Sequence, residues 1–303
     1  MKAFSEPSNN GLSVDVGDLF QYQTLARQLH FPLQNPPTNT LQGDKQTRIK
    51  GRGMAFTHLR QYERGDDVRL IDWRVTARLG KPHTRQYNED KSQPFYLVVD
   101  VGDSMYFGSK RQLKSVLAAK VAATLLWQIQ INREPLSLLL CNSAQTDYLA
   151  PSTSERQLTQ CFARLSKFAE PLSGTYSMNT PQRVINAMQL LLKNLQPGSI
   201  TIVISDFIDW PEQAIEYCHQ LDARGQLLLY HINDPIDSEQ KRTAKENISL
   251  LFTDGKTTQQ RLLDVEQTVT NSFLDQLSVN QYHKTSVSTH QSLRQQLLAG
   301  QLH

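Results

Sequence analysis

Short apolar runs alternate with longer amphipathic stretches over the carboxyl-terminal two thirds of the chain. Each run has the length of a strand and lacks regular polar alternation, which is typical of strands that are buried on both faces. We predict strands at residues 95–99, 136–141, 200–205, 227–232 and 248–252, and a shorter one at 147–149.

The stretches between these runs carry apolar residues at helical spacing. In residues 110–131, for example, Val116, Leu117 and Val121 fall on one side of a helix. Alternation of strands and helices predicts an α/β fold, in which an open, mostly parallel sheet carries helices on both faces. The other helices are predicted at residues 155–168, 181–195, 211–224, near 258–277 and at 292–298.

The amino-terminal part follows a different pattern, so we divide the chain into residues 1–93 and 94–303. Prolines and glycines interrupt the first part, which predicts a small, irregular segment with some β structure in front of the main domain. Its predicted elements are a short helix at 18–29, a linker at 32–43 and candidate strand fragments at 70–73 and 84–87.

The net charge of +3 conceals a basic segment. Residues 44–91 hold twelve Lys/Arg against seven Asp/Glu, whereas the rest holds twenty against twenty-two. The two signs alternate along the segment, so its arginines can pair with its aspartates, and Trp73 can pack against a sheet. The alternative is that the arginines form a docking face for a partner.

Several classes of protein are not predicted by the composition. The sequence has no apolar run of about 18 residues, which a transmembrane helix requires. Its first residues lack an apolar signal core, and its three cysteines show no Cys-x-x-Cys spacing. We therefore predict a cytoplasmic protein of bacterial type without disulfides or a zinc site.

Polar residues that follow two of the predicted strands are candidates for a functional site. Asp100 and Ser104 follow the strand at 95–99, and Asp206 follows the strand at 200–205. Loops at the carboxyl ends of parallel strands converge on a crevice, and carboxylate and hydroxyl oxygens suit Mg²⁺. The alternative is structural, with both aspartates accepting backbone hydrogen bonds in the turns after their strands.

Two segments carry a resemblance to a known family. Residues 60–78 read RQYERGDDVRLIDWRVTAR, and residues 100–108 read DVGDSMYFG. Both resemble family fifty-eight of the domains of unknown function (DUF58), whose patterns are R-x-Y-x-x-G-D-D-x-R-x-I-D-W-x-x-x-A-R and D-x-S-x-S-M-x-F-G. Ser205-Asp206-Phe207 and Asp234-Pro235 also match late signatures of that family, and the resemblance extends over residues 17–299.

The resemblance implies a von Willebrand factor A-like domain with a metal-ion-dependent adhesion site. Asp100 and Ser104 match its first aspartate and second serine, while Thr175 and Asp206 are the candidates for its distal threonine and aspartate. Gly102 stands where the family has the first serine. We therefore expect Mg²⁺ binding to be weak or absent, and to be strengthened by Gly102→Ser.

The resemblance also implies a function. Members are similar to bacterial partners of MoxR-type AAA+ ATPases that assist the assembly or maturation of other proteins. We accordingly predict a non-enzymatic scaffold that binds such an ATPase and its client. The alternative is a Mg²⁺-dependent hydrolase that uses Asp100 and Asp206. Nucleic-acid binding is not predicted, because the basic segment lacks a recognisable reading motif.

Overall fold

The computed structural model describes ten stretches of the chain, which group into two compact units. The larger unit comprises residues 1–32 and 93–303, and the smaller comprises residues 33–92. The division into residues 1–93 and 94–303 stays a prediction, and residues 1–32 group here with the larger unit. The described residues are 11–29, 54–63, 66–89, 92–170, 180–208, 210–239, 248–253, 258–263, 272–278 and 282–299.

Six strands form the main sheet of the larger unit, in the order β10-β7-β6-β3-β4-β5. All neighbours are parallel except β5, which lies antiparallel to β4 at one edge. The predicted open, mostly parallel sheet is confirmed. The strands are β1 (Met54–Gln61), β2 (His83–Glu89), β3 (Phe95–Val101), β4 (Leu136–Asn142), β5 (Thr146–Ser152), β6 (Ser199–Ser205), β7 (Gly225–Asn233), β8 (Ile248–Thr253), β9 (Thr258–Leu263) and β10 (His283–Ser288).

The described residues also form ten α-helices, five of which follow a strand of the main sheet. They are α1 (Val16–Gln21), α2 (Gln23–Ala26), α3 (Trp73–Leu79), α4 (Lys114–Ile131), α5 (Glu155–Ala169), α6 (Thr180–Asn194), α7 (Ala214–Arg224), α8 (Pro235–Glu239), α9 (Ser272–Ser278) and α10 (Leu293–Ala299).

Side-chain alternation along the strands separates two cores. Tyr96 and Val98 of β3 join Val203 of β6 in a core that is completed by α6, α7 and α9. The intervening residues, such as Leu97, are equally buried, and α4 covers β3, β4, β6 and β7. Successive residues of a strand point to opposite faces, so α4 lies on one face of the sheet and α6 on the other. The predicted covering of both faces is confirmed.

The carboxyl-terminal elements differ in part from the sequence prediction. The helix predicted near residues 258–277 is wrong in its first part, because β9 pairs with β8 in a separate antiparallel hairpin. Strand pairing there prevails over the helical propensity of its glutamine, arginine and leucine residues. Strand β10 was not predicted, because it is a polar edge strand in which Val287 is buried but most neighbours are not.

The smaller unit contains an antiparallel β1–β2 hairpin and the capped helix α3. The strand fragment predicted at residues 70–73 is wrong, since only Ile71 forms an isolated bridge there and Trp73 begins α3. The Asp72 side chain caps this helix by accepting hydrogen bonds from the backbone N–H groups of Arg74 and Val75. Capping places the helix start at Trp73 and fixes its direction.

Two further observations concern the described part of the chain. Cys141, Cys161 and Cys218 are free and buried. None of the helices described is both long enough and apolar enough to cross a membrane.

Candidate functional site

The candidate site lies where the direction of the sheet connections reverses. Strand β3 pairs with β4 on one side and with β6 on the other. In open α/β sheets the crevice at such a switch point is the usual place for ligands. Val99 is opposite Ile204 in the register, so Asp100 and Ser205 leave the sheet side by side.

Asp100 is buried at this edge and is engaged through both carboxylate oxygens. Its Oδ1 lies 3.1 Å from Nη2 of Arg183. Its Oδ2 accepts hydrogen bonds from Oγ of Ser205 at 3.0 Å and from Nε1 of Trp210 at 2.8 Å. Burial raises the pKa of Asp100 above its ordinary 3.8, and the lowering by Arg183 and Trp210 offsets only part of that increase.

The loop after β6 is shaped to bring Trp210 to Asp100. Phe207 has a positive φ of 57°, which is uncommon for a bulky residue. Its backbone N–H donates to Oγ of Ser205 at 3.0 Å, and its ring lies 4.9 Å from that of Trp210. This arrangement gives a physical reason for a serine at the end of β6 and an aromatic residue two positions later.

Arg183 occupies the space beside Gly102. A Cβ atom at position 102 would lie 2.7 Å from Nη2, 3.0 Å from Nη1 and 3.2 Å from Cζ of Arg183. These separations are shorter than van der Waals contact, so a side chain at position 102 and the guanidinium in this position exclude each other. Gly102→Ser therefore cannot add a hydroxyl at this edge unless Arg183 moves.

Asp206 is also paired with a cation of the protein. Lys114, the first residue of α4, places its Nζ 2.8 Å from Oδ2 of Asp206 and 3.2 Å from Oδ2 of Asp237. Burial lowers the pKa of Lys114, but the two carboxylates outweigh burial and raise this pKa above its ordinary 10.5. Lys114 is therefore a charged group in a buried network.

The two carboxylates are engaged from different faces of the sheet. Asp100 continues the alternation of Tyr96 and Val98 and meets Arg183 on the side of α6. Asp206 follows Ser205, which faces Asp100, and meets Lys114 on the side of α4. The structure thus places both aspartates at the carboxyl edge of the sheet, Asp100 beside Arg183 and Asp206 beside Lys114, which also contacts Asp237.

The remaining predicted site residues are less informative. Ser104 is half-buried in a 3₁₀ turn that spans Asp103–Tyr106, where Asp103 accepts a hydrogen bond from Ser143. Thr175 lies outside the described residues. Within the described residues, no group of three or more His, Cys, Asp or Glu could hold a metal ion. Because Arg183 and Lys114 already occupy the carboxylates, the described side chains do not fit a Mg²⁺ ion.

A second buried aspartate network fixes the loop between the 3₁₀ turn and α4. Asp234, at the end of β7, accepts hydrogen bonds from the backbone N–H of Ser109 at 2.9 Å and from Thr289 Oγ1 at 2.5 Å. Burial opposes its ionisation, but the hydrogen bonds from Ser109 and Thr289 prevail and lower the pKa of Asp234. The Asp234-Pro235 signature therefore has a structural role here.

Gly108 in the same loop provides a prediction. A Cβ atom there would lie 2.1 Å from the carbonyl oxygen of Gln112, and backbone cannot retreat as a flexible side chain can. We expect Gly108→Ala to lower the free energy of unfolding by about 1–3 kcal/mol.

Gly17→Ala is the control for this prediction, since a Cβ atom at position 17, in α1, would meet nothing within 4 Å. That variant should be unchanged or more stable by up to about 1 kcal/mol. Equal losses in urea unfolding of the two variants would contradict the prediction.

Sequence reasoning missed Arg183 and Lys114, although both carry a recognisable signal. Lys114 is the first residue of α4 and Arg183 the fourth of α6. A cation in the first turn of a helix is opposed by the helix dipole. A cation at such a position therefore indicates an ion pair with a nearby carboxylate.

The strand order and the covered faces define a doubly wound α/β protein with a polar carboxyl edge. The chain belongs to the family described as "Protein of unknown function DUF58", which matches residues 58–280. The predicted family is therefore confirmed.

The chain is also similar to two curated relatives and to several solved structures. An uncharacterized protein of Mycobacterium bovis and one of Mycobacterium tuberculosis are each 27% identical over 213 residues, 70% of this chain. The chain spans 65% of the length of these relatives. BatB from Bacteroides thetaiotaomicron has a TM-score of 0.44 at 12% identity, covering 69% of this chain and 96% of BatB. The SpRpn10 VWA domain has a TM-score of 0.40 at 13% identity, covering 69% and 95%.

Proposed function

We propose that the protein is a non-enzymatic scaffold that binds a MoxR-type AAA+ ATPase and a client during assembly or maturation of other proteins. The observation that carries this proposal is the solvent exposure of the Trp73 side chain. This tryptophan stands in the family hallmark and is 65% exposed, rather than packed against a sheet as the sequence suggested. A partner that covered this side chain would remove a large apolar area from water, which favours binding.

The surroundings of Trp73 have the chemistry of a docking face. Trp73 and Ala77 are four residues apart on α3, as are Arg74 and Arg78, so each pair shares a side of the helix. All four residues are exposed. Tryptophan and arginine are enriched at the energetic centres of protein interfaces. The face suits a partner surface that offers an apolar pocket beside carboxylates.

The aspartates of the hallmark hold this face in shape. Asp72 caps α3, and Asp67 accepts a hydrogen bond from the backbone N–H of Arg69. Asp66 pairs with Arg60 at 2.8 Å. Scaffold and docking roles are therefore divided within one segment: the aspartates fix the backbone, and the tryptophan and arginines on α3 remain available.

The paired carboxylates of the sheet edge support binding over hydrolysis. A hydrolase of the alternative kind needs Asp100 and Asp206 for a metal or for proton transfer, whereas here they contact Arg183 and Lys114. We therefore assign no catalytic residue, and we propose the cytoplasm as the location because the proposed ATPase partner works there. Mg²⁺-dependent phosphatase or nuclease turnover that Asp100→Asn abolishes would instead favour the hydrolase.

Trp73→Ala should abolish or strongly weaken co-purification with the cognate MoxR-type ATPase, tested with and without nucleotide. Because the side chain is mostly exposed, its removal should change the free energy of unfolding by no more than about 0.5 kcal/mol. Ile131→Ala, which removes another exposed apolar side chain in the larger unit, is the matched control and should bind normally. If Trp73→Ala bound the ATPase as well as the wild type, the assignment of α3 as the docking face would be wrong. If the wild type failed to bind the ATPase under every condition, the proposed function itself would be wrong.

A further inference from the structure

At position 102, where the family pattern has a metal-binding serine, this protein has a glycine with the side chain of Arg183 beside it. In the pattern, a serine hydroxyl at position 102 and the carboxylate of Asp100 face the same ion. Here the guanidinium of Arg183 lies beside position 102 and contacts Asp100 at 3.1 Å. Both side chains of this ion pair are nearly inaccessible, at 6% and 3% exposed.

The charge balance of the edge is consistent with such a replacement. A divalent ion brings two positive charges to the carboxylates around it. Arg183 and Lys114 bring one each, and each contacts one of the two aspartates that were predicted to bind the ion, although Lys114 is shared with Asp237. Each of the two aspartates is therefore already in direct contact with a cation of the polypeptide.

The placement of Arg183 is sterically consistent only with glycine at position 102. Arginine is a planar fork that needs room on the side of the carboxylate it engages. A Cβ at position 102 would lie 2.7 Å from Nη2 and 3.0 Å from Nη1, so the end of the arginine side chain would have to move away from its present place. The missing serine and the buried arginine are therefore two parts of one arrangement.

We infer that Arg183 is the built-in cation of this edge: its guanidinium takes the place of the adhesion-site metal beside Asp100, and Gly102 provides the room. The edge is therefore assembled without a divalent ion. This inference rests on the proposed scaffold function and deepens it by making the fold of the scaffold's larger unit independent of metal. Its test needs no partner, so its outcome is separate from that of the ATPase experiment.

The experiment uses Mg²⁺ and Mn²⁺ alone as probes, with isothermal titration calorimetry and melting temperature as readouts. The wild type should show no saturable binding heat at this edge, and chelator should not change its melting temperature. Gly102→Ser should lose stability without gaining metal affinity, because the arginine must be displaced first. The double variant Gly102→Ser with Arg183→Ala should show saturable Mn²⁺ binding under conditions in which the wild type shows none.

Two results would overturn the inference. The first is saturable Mg²⁺ or Mn²⁺ binding by the wild type that Asp100→Asn abolishes and Arg183→Ala leaves unchanged. The second is a double variant that folds, as judged by circular dichroism, and binds Mn²⁺ no better than the wild type. The wild-type titration and chelator measurement need no variant, so they decide the first point even where a variant fails to fold.

Discussion

Arg183→Met is expected to lower the free energy of unfolding by about 3–5 kcal/mol, because it leaves the buried carboxylate of Asp100 without its cation. The hydrogen bonds from Ser205 and Trp210 remain, so the variant should still fold. Urea unfolding followed by circular dichroism measures the loss. Arg156→Met, on the exposed side of α5, is the matched control and should change stability by less than about 0.5 kcal/mol.

A double-mutant cycle separates the ion pair from general packing effects. Asp100→Asn and Arg183→Met each leave one partner behind, whereas the double variant removes both charges. The double variant should therefore lose less than the sum of the two single losses, by at least about 1 kcal/mol. Simple additivity would show that the two side chains contribute independently.

The pH dependence of Arg183→Met has a definite sign. Without the guanidinium, the folded-state pKa of Asp100 should rise further above the unfolded value of 3.8. At a pH between 3.8 and the folded-state pKa of Asp100, the folded variant binds more protons than the unfolded chain. The free energy of unfolding of the variant therefore increases as the pH falls through this range. The gap between wild type and variant should therefore narrow in acid, and a gap that widens would contradict this account.

Lys114→Met should be similarly damaging, with a loss of about 3–5 kcal/mol, since two carboxylates lose their shared cation. The effect of Lys114→Met on stability should depend on pH in the alkaline range, whereas that of Arg183→Met depends on pH in the acidic range. The pKa of Lys114 is raised in the folded state above 10.5, so the stabilisation is fully present below pH 10.5. It is then lost as the pH rises through the folded-state pKa.

Thermal unfolding of wild type and Lys114→Met should therefore differ by a constant amount from neutral pH up to about pH 10, and converge above it. Lys167→Met, which removes an exposed lysine from α5, is the matched control. If both lysine variants lost equal stability, the network around Lys114 would contribute nothing beyond an ordinary surface charge.

The central part of the fold could be predicted because it is encoded in local patterns. Strands β3, β4, β6 and β7 each contain a run of mostly apolar residues, and the helices between them repeat apolar residues at helical spacing. Strand β10 could not be found in this way, because an edge strand needs few apolar residues. The pairing of β9 with β8 depends on a partner distant from any local signal.

The site was predicted in position but not in composition. Strand ends placed Asp100 and Asp206 at one edge, yet nothing in the spacing showed which face each aspartate would use. That choice follows from side-chain alternation once Tyr96 and Val98 are known to face α6. The prediction that Trp73 packs against a sheet was wrong for another reason. A sequence pattern does not show whether an aromatic side chain is buried or exposed.

The steric exclusion between position 102 and Arg183 also predicts a pattern of inheritance. A serine at position 102 would force the arginine side chain out of its present place beside Asp100, so a glycine favours this position of the arginine and a serine disfavours it. Across homologous chains the two positions should therefore covary. That single pair of columns would sort the family into members that carry their cation in the polypeptide and members that must acquire one from solution.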